Sequence, residues 1–336
     1  MATIKFLLAN WLKKRAQNKF KAAGFTLLEL IIALTVAALV ITPLISVAVT
    51  LLETDRKEQA KTASEDEIQT AIEYISRDLQ QAVYIYDAED LPEIVDNNDG
   101  IPVDGTAGNR LTPVLVFWKR EFVENGRPIN DQANCDLEDP EEELCDDTFV
   151  YSLVGYYLIE GRNDQDKWSN ALRIGRFKIE DGVDDPFDAN PDNYIGGRDP
   201  DDGFAIFDLS SGSVKNAMRE WTNSGEPFDV NSLPQSNVLL DYIDQTATID
   251  DAEDCPADTE DNDIDPEWTK IPDDENFPGF YVCVFTSQNK VRVFLRGNAL
   301  ARIRGGDNPP TYDEGTQAFF PRARIEVRGT GLLRSR

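Results

Sequence analysis

Residues 25–52 read FTLLELIIALTVAALVITPLISVAVTLL, an apolar run broken by one charge, Glu29. A helix rises about 1.5 Å per residue, and about 20 apolar residues cross the hydrocarbon of a bilayer, so this run predicts a membrane-spanning helix. Beyond it the pattern turns amphipathic. Ile68, Ile72, Ile75, Leu79, Val83 and Tyr86 recur at steps of four and three, one stripe at helical period. The other faces carry acids and bases such as Glu53, Arg56, Lys57 and Glu65. The chain therefore predicts one long helix, membrane in its first half and half-buried on a sheet in its second. Pro43, inside the apolar run, either bends that helix or is simply tolerated by it.

After Leu91 short apolar runs alternate with Asp, Asn, Gly and Pro. They predict strands at 114–122, 149–160, 172–180, 204–209, 238–243, 280–286, 291–296 and 322–327. The runs at 280–286 and 291–296, joined by Ser287-Gln288-Asn289-Lys290, read as a hairpin. A helical turn fits 214–221. Residues 92–110, 125–147, 181–202 and 246–276 are too polar for a core and read as loops. The fold class is α+β, a long helix on antiparallel sheet with long acidic loops. Its parts are a basic leader (1–24), a membrane or filament-core helix (25–52), an amphipathic helix (53–90) and a β-rich head (91–336).

Charge sharpens the first boundary. Residues 1–24 hold six basic residues and no acid, whereas residues 25–336 hold 27 basic and 62 acidic side chains, net −35. Such an acidic body excludes nucleic acid as a partner, because that binding rests on Lys and Arg neutralising phosphates. A basic flank before an apolar span stays cytoplasmic, which places the span in the inner membrane and the body in the periplasm. The four cysteines, Cys135, Cys145, Cys255 and Cys283, suit an exported domain with two disulfides. Spacing favours Cys135 with Cys145 and Cys255 with Cys283, though four cysteines allow three pairings.

A cleaved signal peptide, a plain anchor and a processed precursor compete for the N-terminal segment. A signal peptide is cut after its apolar core at small residues, and no such site follows this run. A plain anchor has no use for a carboxylate five residues into the span, where an ionisable group is costly and calls for a partner. The string Ala23-Gly24-Phe25-Thr26-Leu27-Leu28-Glu29 resembles the cleavage and methylation motif of type IV prepilins, shared by pilins and type II secretion pseudopilins. The resemblance implies cutting between Gly24 and Phe25 by a prepilin peptidase and N-methylation of Phe25. It implies pairing of Glu29 with the Phe25 amine of a neighbouring subunit, and assembly with other pseudopilins on an inner-membrane platform. The segment IEYISRDLQQA (72–82) is similar to that of J-type minor pseudopilins. LLDYID (239–244), VRVFLRGNA (291–299) and the strand pattern look like the hormogonium polysaccharide secretion pseudopilins of filamentous cyanobacteria, C type. These resemblances imply a filament that serves polysaccharide export and gliding motility; a surface pilin with a glycan-binding head is the alternative.

For chemistry in the head, Asp261, Asp263, Asp265 and Glu267 alternate as oxygen ligands of calcium do. Pro266 and Pro272 replace the glycine and glutamate of an EF-hand, so a solvated loop competes. Asp96-Asn97-Asn98-Asp99-Gly100 is a second, poorer cluster. The chain has no histidine, which removes Ser-His-Asp and Cys-His catalysis, and the expectation is that it is not an enzyme. Trp118, Trp168, Trp221 and Trp268 read as core or loop anchors more readily than as sugar platforms.

Overall fold

The computed structural model describes residues 25–95, 100–101, 110–131, 133–138, 144–160, 168–188, 193–225, 238–246, 255–256, 268–273, 279–305, 308–331 and 333. The fold is α+β and pilin-like: a long apolar N-terminal helix and antiparallel sheets. The chain divides into two compact units, residues 1–55 and 56–336.

Helix α1 runs Leu27–Gln80 as one element, through Pro43. In the first unit its apolar side chains are exposed, and the helix is long and apolar enough to cross a membrane. Thr35, Thr42 and Thr50 donate their hydroxyls back to the carbonyls of Ile32, Ala38 and Ser46. A hydroxyl can therefore sit in an apolar span without an unmet donor.

In the second unit the stripe predicted from periodicity is the buried face: Ile68, Ile72, Ile75 and Leu79 are at most 3 % exposed. The helix ends at Gln80, earlier than the stripe implied. Val83 and Tyr86 are buried, but strand β1 (Ala82–Ile85) has replaced the helix there, since Val-Tyr-Ile-Tyr is a run of strand formers. The C-terminal segment closes this junction. Thr330 donates its N–H and its hydroxyl to Gln80 O at 3.1 and 2.8 Å, and Gly331 N–H donates to Ala82 O. A helix's last carbonyls need such outside donors. Gly331 permits the approach, because a Cβ there would lie 2.6 Å from Gln81 O.

Strands β2 (Arg110–Pro128), β3 (Cys145–Glu160), β4 (Leu172–Glu180) and β5 (Val238–Ile243) complete an antiparallel sheet in the order β1-β2-β3-β4-β5. Strands β6 (Thr269–Ile271), β7 (Phe280–Phe285), β8 (Lys290–Arg296) and β9 (Arg322–Arg328) form a second one, in sequence order. The hairpin expected at 280–296 is β7–β8, with Asn289 taking the left-handed turn position. Short helices α2 (Leu91–Ile94), α3 (Val214–Arg219) and α4 (Ala299–Arg304) fill the connections.

Three expectations change. Residues 204–209 form no strand; Phe204 and Phe207 instead set their rings edge-on against Trp118, joined by Trp221. The apolar run there is an aromatic plug and not a ladder. Strand β6 arises inside 246–276, where three residues are too few to show alternation. The loop at 125–147 is narrower than its polarity suggested, because β2 runs to Pro128 and β3 begins at Cys145. One hydrophobic core takes side chains from α1 and both sheets.

Candidate functional site

The described part of the processing segment begins at Phe25, which is 80 % exposed; Gly24 lies outside the described residues. Thr26 takes the N-cap position of α1. Its Oγ1 accepts the N–H of Glu29 at 3.2 Å and its carbonyl accepts the N–H of Leu30 at 3.1 Å. Thr-x-x-Glu is a capping-box spacing, so the sequence starts its own helix at this point. Glu29 sits in the first turn, where the positive end of the helix dipole favours an anion. Among the described residues nothing donates to its side chain. The carboxylate thus combines a local preference for its position with an unspent capacity to accept.

At the other end of α1 the sequence carries a second acid, Asp78, and here every bond is spent. Its carboxylate accepts from Lys119 Nζ (2.9 Å, β2), Tyr156 Oη (2.7 Å, β3) and Arg176 Nε (2.8 Å, β4). Three neighbouring strands thereby hold one helical residue. Burial alone would raise this carboxyl, but donation from Arg176, Tyr156 and Lys119 outweighs it and holds it below the usual carboxylate range. The network continues through Glu121, which pairs with Lys119 and Lys178, and Glu180, which pairs with Lys178.

A second acidic group in the head is similarly committed. Asp87, Glu89 and Asp90 can bring one oxygen each within 4.8 Å of the others, the kind of group that holds a cation. Lys215 Nζ occupies it, 3.5, 3.0 and 3.4 Å from the three carboxylates, and Arg219 Nε lies 3.5 Å from Asp90. Asp90 is wholly buried. Burial raises its carboxyl; the hydroxyl of Tyr84, donating at 2.6 Å, opposes the rise and Asp87 adds to it. Sequence reading missed this group because Lys215 is 125 residues from Asp90. Asp261, Asp263, Asp265 and Glu267 lie outside the described residues, as do residues 96–99.

A cavity of about 540 Å³ is lined by Trp168, Tyr242, Asp241, Glu67, Asp66 and Arg302 among others. Asp241 accepts the N–H and hydroxyl of Ser169, Glu67 pairs with Arg302, and the Arg302 guanidinium lies 4.5 Å from the Tyr242 ring centre. Trp118 and Trp221 are core, and Trp268 stacks on Phe285 at 5.4 Å. The structure joins Cys135 to Cys145 and Cys255 to Cys283.

Residues 19–45 match the family described as the prokaryotic N-terminal methylation motif. The match supports a type IV pilin-like protein. It spans the junction at Gly24, the N-cap at Thr26, Glu29 and the first half of the apolar run. It implies peptidase processing, membrane association and partners of the pilin type for this pilin-like chain, and it points to a structural role. No curated protein and no solved structure gives a match to the chain.

Proposed function

We propose that the chain is a minor pseudopilin, cut between Gly24 and Phe25, N-methylated at Phe25 and assembled into a pilus-like filament of a type II secretion or type IV pilus-like export system. The observation that carries this reading is a methylation motif continuous with an exposed apolar helix, followed by an α+β head with its own core. The helix leaves the inner membrane for the filament with the head in the periplasm. There Glu29 accepts from the Phe25 amine of the neighbouring subunit, and the pair, desolvated in low dielectric, sets register. The resemblances at 72–82, 239–244 and 291–299 extend the proposal to the J-type class and to polysaccharide export that supports gliding motility.

Mass spectrometry of the mature N-terminus tests the core of this reading. Methylated Phe25 is expected; an intact Met1, or a cut beyond Leu52, refutes it. Deletion of the gene is expected to abolish polysaccharide secretion and motility, and normal secretion in a clean deletion removes the export role. The second reading, a surface pilin with a glycan-binding head, draws on the cavity at Trp168 and Tyr242. Glycan binding by the full chain that is lost on Trp168→Ala would favour it.

A further inference from the structure

The cavity of about 540 Å³ lies in the head, lined by side chains of α1, β5 and α4 and by Trp168, just before β4. Its volume is that of a small-molecule site, about 300–1,000 Å³. Ala71, Val238 and Leu240 give it apolar surface, and Trp168 and Tyr242 add two half-buried rings. Tyr242 holds a left-handed backbone, with φ at 60°, which is costly for a bulky side chain. Two bonds keep it there. The Tyr242 N–H donates to Asp241 Oδ1, and the Asn298 N–H donates to the Tyr242 carbonyl, each at 2.7 Å. The strained residue thus sets its ring at the cavity, beside Arg302.

The polar lining shows which bonds are still open. Asp241 accepts two bonds at Oδ1, from Ser169 Oγ and Tyr242 N–H, and one at Oδ2, from Ser169 N–H. A carboxylate oxygen has two acceptor sites, so Oδ2 keeps one. Asp66 is exposed, and among the described residues nothing donates to its carboxylate. Arg302 pairs with Glu67, yet its Nε–H is buried and has no acceptor among the described residues. The lining therefore offers both acceptors and a donor. An ammonium only donates and a carboxylate only accepts, whereas a hydroxyl does both. Charge narrows the choice further. Three carboxylates face one guanidinium in the lining, and the body around them is net −35, so an anionic ligand is repelled. Arg173, wholly buried, offsets only part of the Asp241 charge.

We infer that this cavity binds an uncharged saccharide unit, with an apolar sugar face against the Trp168 indole and sugar hydroxyls shared among Asp66, Asp241 and Arg302. The inference deepens the glycan-binding reading of the head and rests on it. A sugar ring suits the site because it presents apolar C–H faces and a rim of hydroxyls, which match a wall of aromatic and aliphatic side chains set with a few polar groups. Acidic sugars are excluded by the charge of the lining, and an amine would leave the Arg302 Nε–H unanswered.

The test is calorimetric titration of the full-length chain, in micelles of a detergent without a sugar headgroup. The probes are neutral oligosaccharides of glucose, galactose and mannose, an oligogalacturonate and a chitosan oligosaccharide. Saturable binding of at least one neutral probe is expected, with Kd below about 1 mM, and with less than about twofold change between about 0.1 M and about 1 M salt, since no net charge is paired. Trp168→Ala is expected to weaken it about tenfold, and Asp66→Ala about fivefold or more. Asp66 is exposed and has no side-chain partner to lose, so that variant carries the test if Trp168→Ala does not fold. Neutral binding that neither substitution weakens puts the ligand elsewhere and overturns the inference. Binding of oligogalacturonate or chitosan with no neutral probe bound overturns it too, but leaves the glycan-binding reading standing. A chain that binds none of the probes sinks both.

Discussion

Glu29 and Asp78 are carboxylates on the same helix, one in its first turn and the other two residues from its end. Asp78 is buried and takes donors from three strands. Glu29 is exposed, and the described residues offer its side chain no donor. A carboxylate in a low-dielectric setting requires a partner. The fold supplies one in the first case; in the second, the proposed filament contact would supply it from a neighbouring subunit. The comparison separates an acid that builds the head from an acid for which assembly is the proposed use.

The comparison breaks most directly at Asp78. Asp78→Asn is expected to destabilise the chain by about 3 kcal/mol, because half-buried Arg176 loses its counter-charge and buried Lys119 is left with Glu121 alone; denaturant unfolding of the full chain in micelles reads it. No loss would mean that the network is ornamental. The same residue sets an acid limb. A carboxyl held low in the folded state contributes stability that is present above its unfolded value, about 3.9. That contribution is lost as pH falls through the lower folded value. Asp78→Asn should flatten the decline of stability below about pH 4.

Next in size is Gly331→Val, where a side chain would strike Val83 Cγ1 and Gln81 O. A cost of about 1–3 kcal/mol is expected, read by the same unfolding. Lys215→Met takes the ammonium from three carboxylates but leaves Arg219 beside Asp90. With Lys215 half in solvent, a loss of about 1 kcal/mol is expected, together with a higher pKa for Asp90, visible by NMR titration. Smallest in stability is Glu29→Ala, expected to leave head unfolding within about 0.5 kcal/mol of wild type. It should nonetheless abolish filament assembly in cells, scored by electron microscopy and by co-purification of pilin-type partners. Filaments from Glu29→Ala at wild-type yield would dissolve the distinction between the two acids.

Much of this was legible along the chain because it is local. Hydrophobic periodicity reports which face of one helix is buried, and Ile68, Ile72, Ile75 and Leu79 are that face. A Gly-Phe-Thr-Leu-Leu-Glu string needs no tertiary contact to be recognised, and its Thr26 cap depends on residues three apart. Strands β4 and β5 fall at the bounds that alternation and turn residues assign. At 83–86 and 204–209 the pattern reports burial but not backbone form. An apolar run can be buried by a ladder, a helix or an aromatic plug, and only its neighbours choose among them.

The sequence by itself therefore determined an apolar span with a processing signal at its start, an amphipathic continuation and a β-rich acidic head. Each depends on residues within a few positions of one another. Tertiary structure alone decided which acids are spent. Asp78 meets Arg176 across 98 residues, and Lys215 reaches Asp90 across 125. It also decided that the scattered arginines of 322–328 share one face with Lys290, because a strand shows its charges on one side only when a partner buries the other.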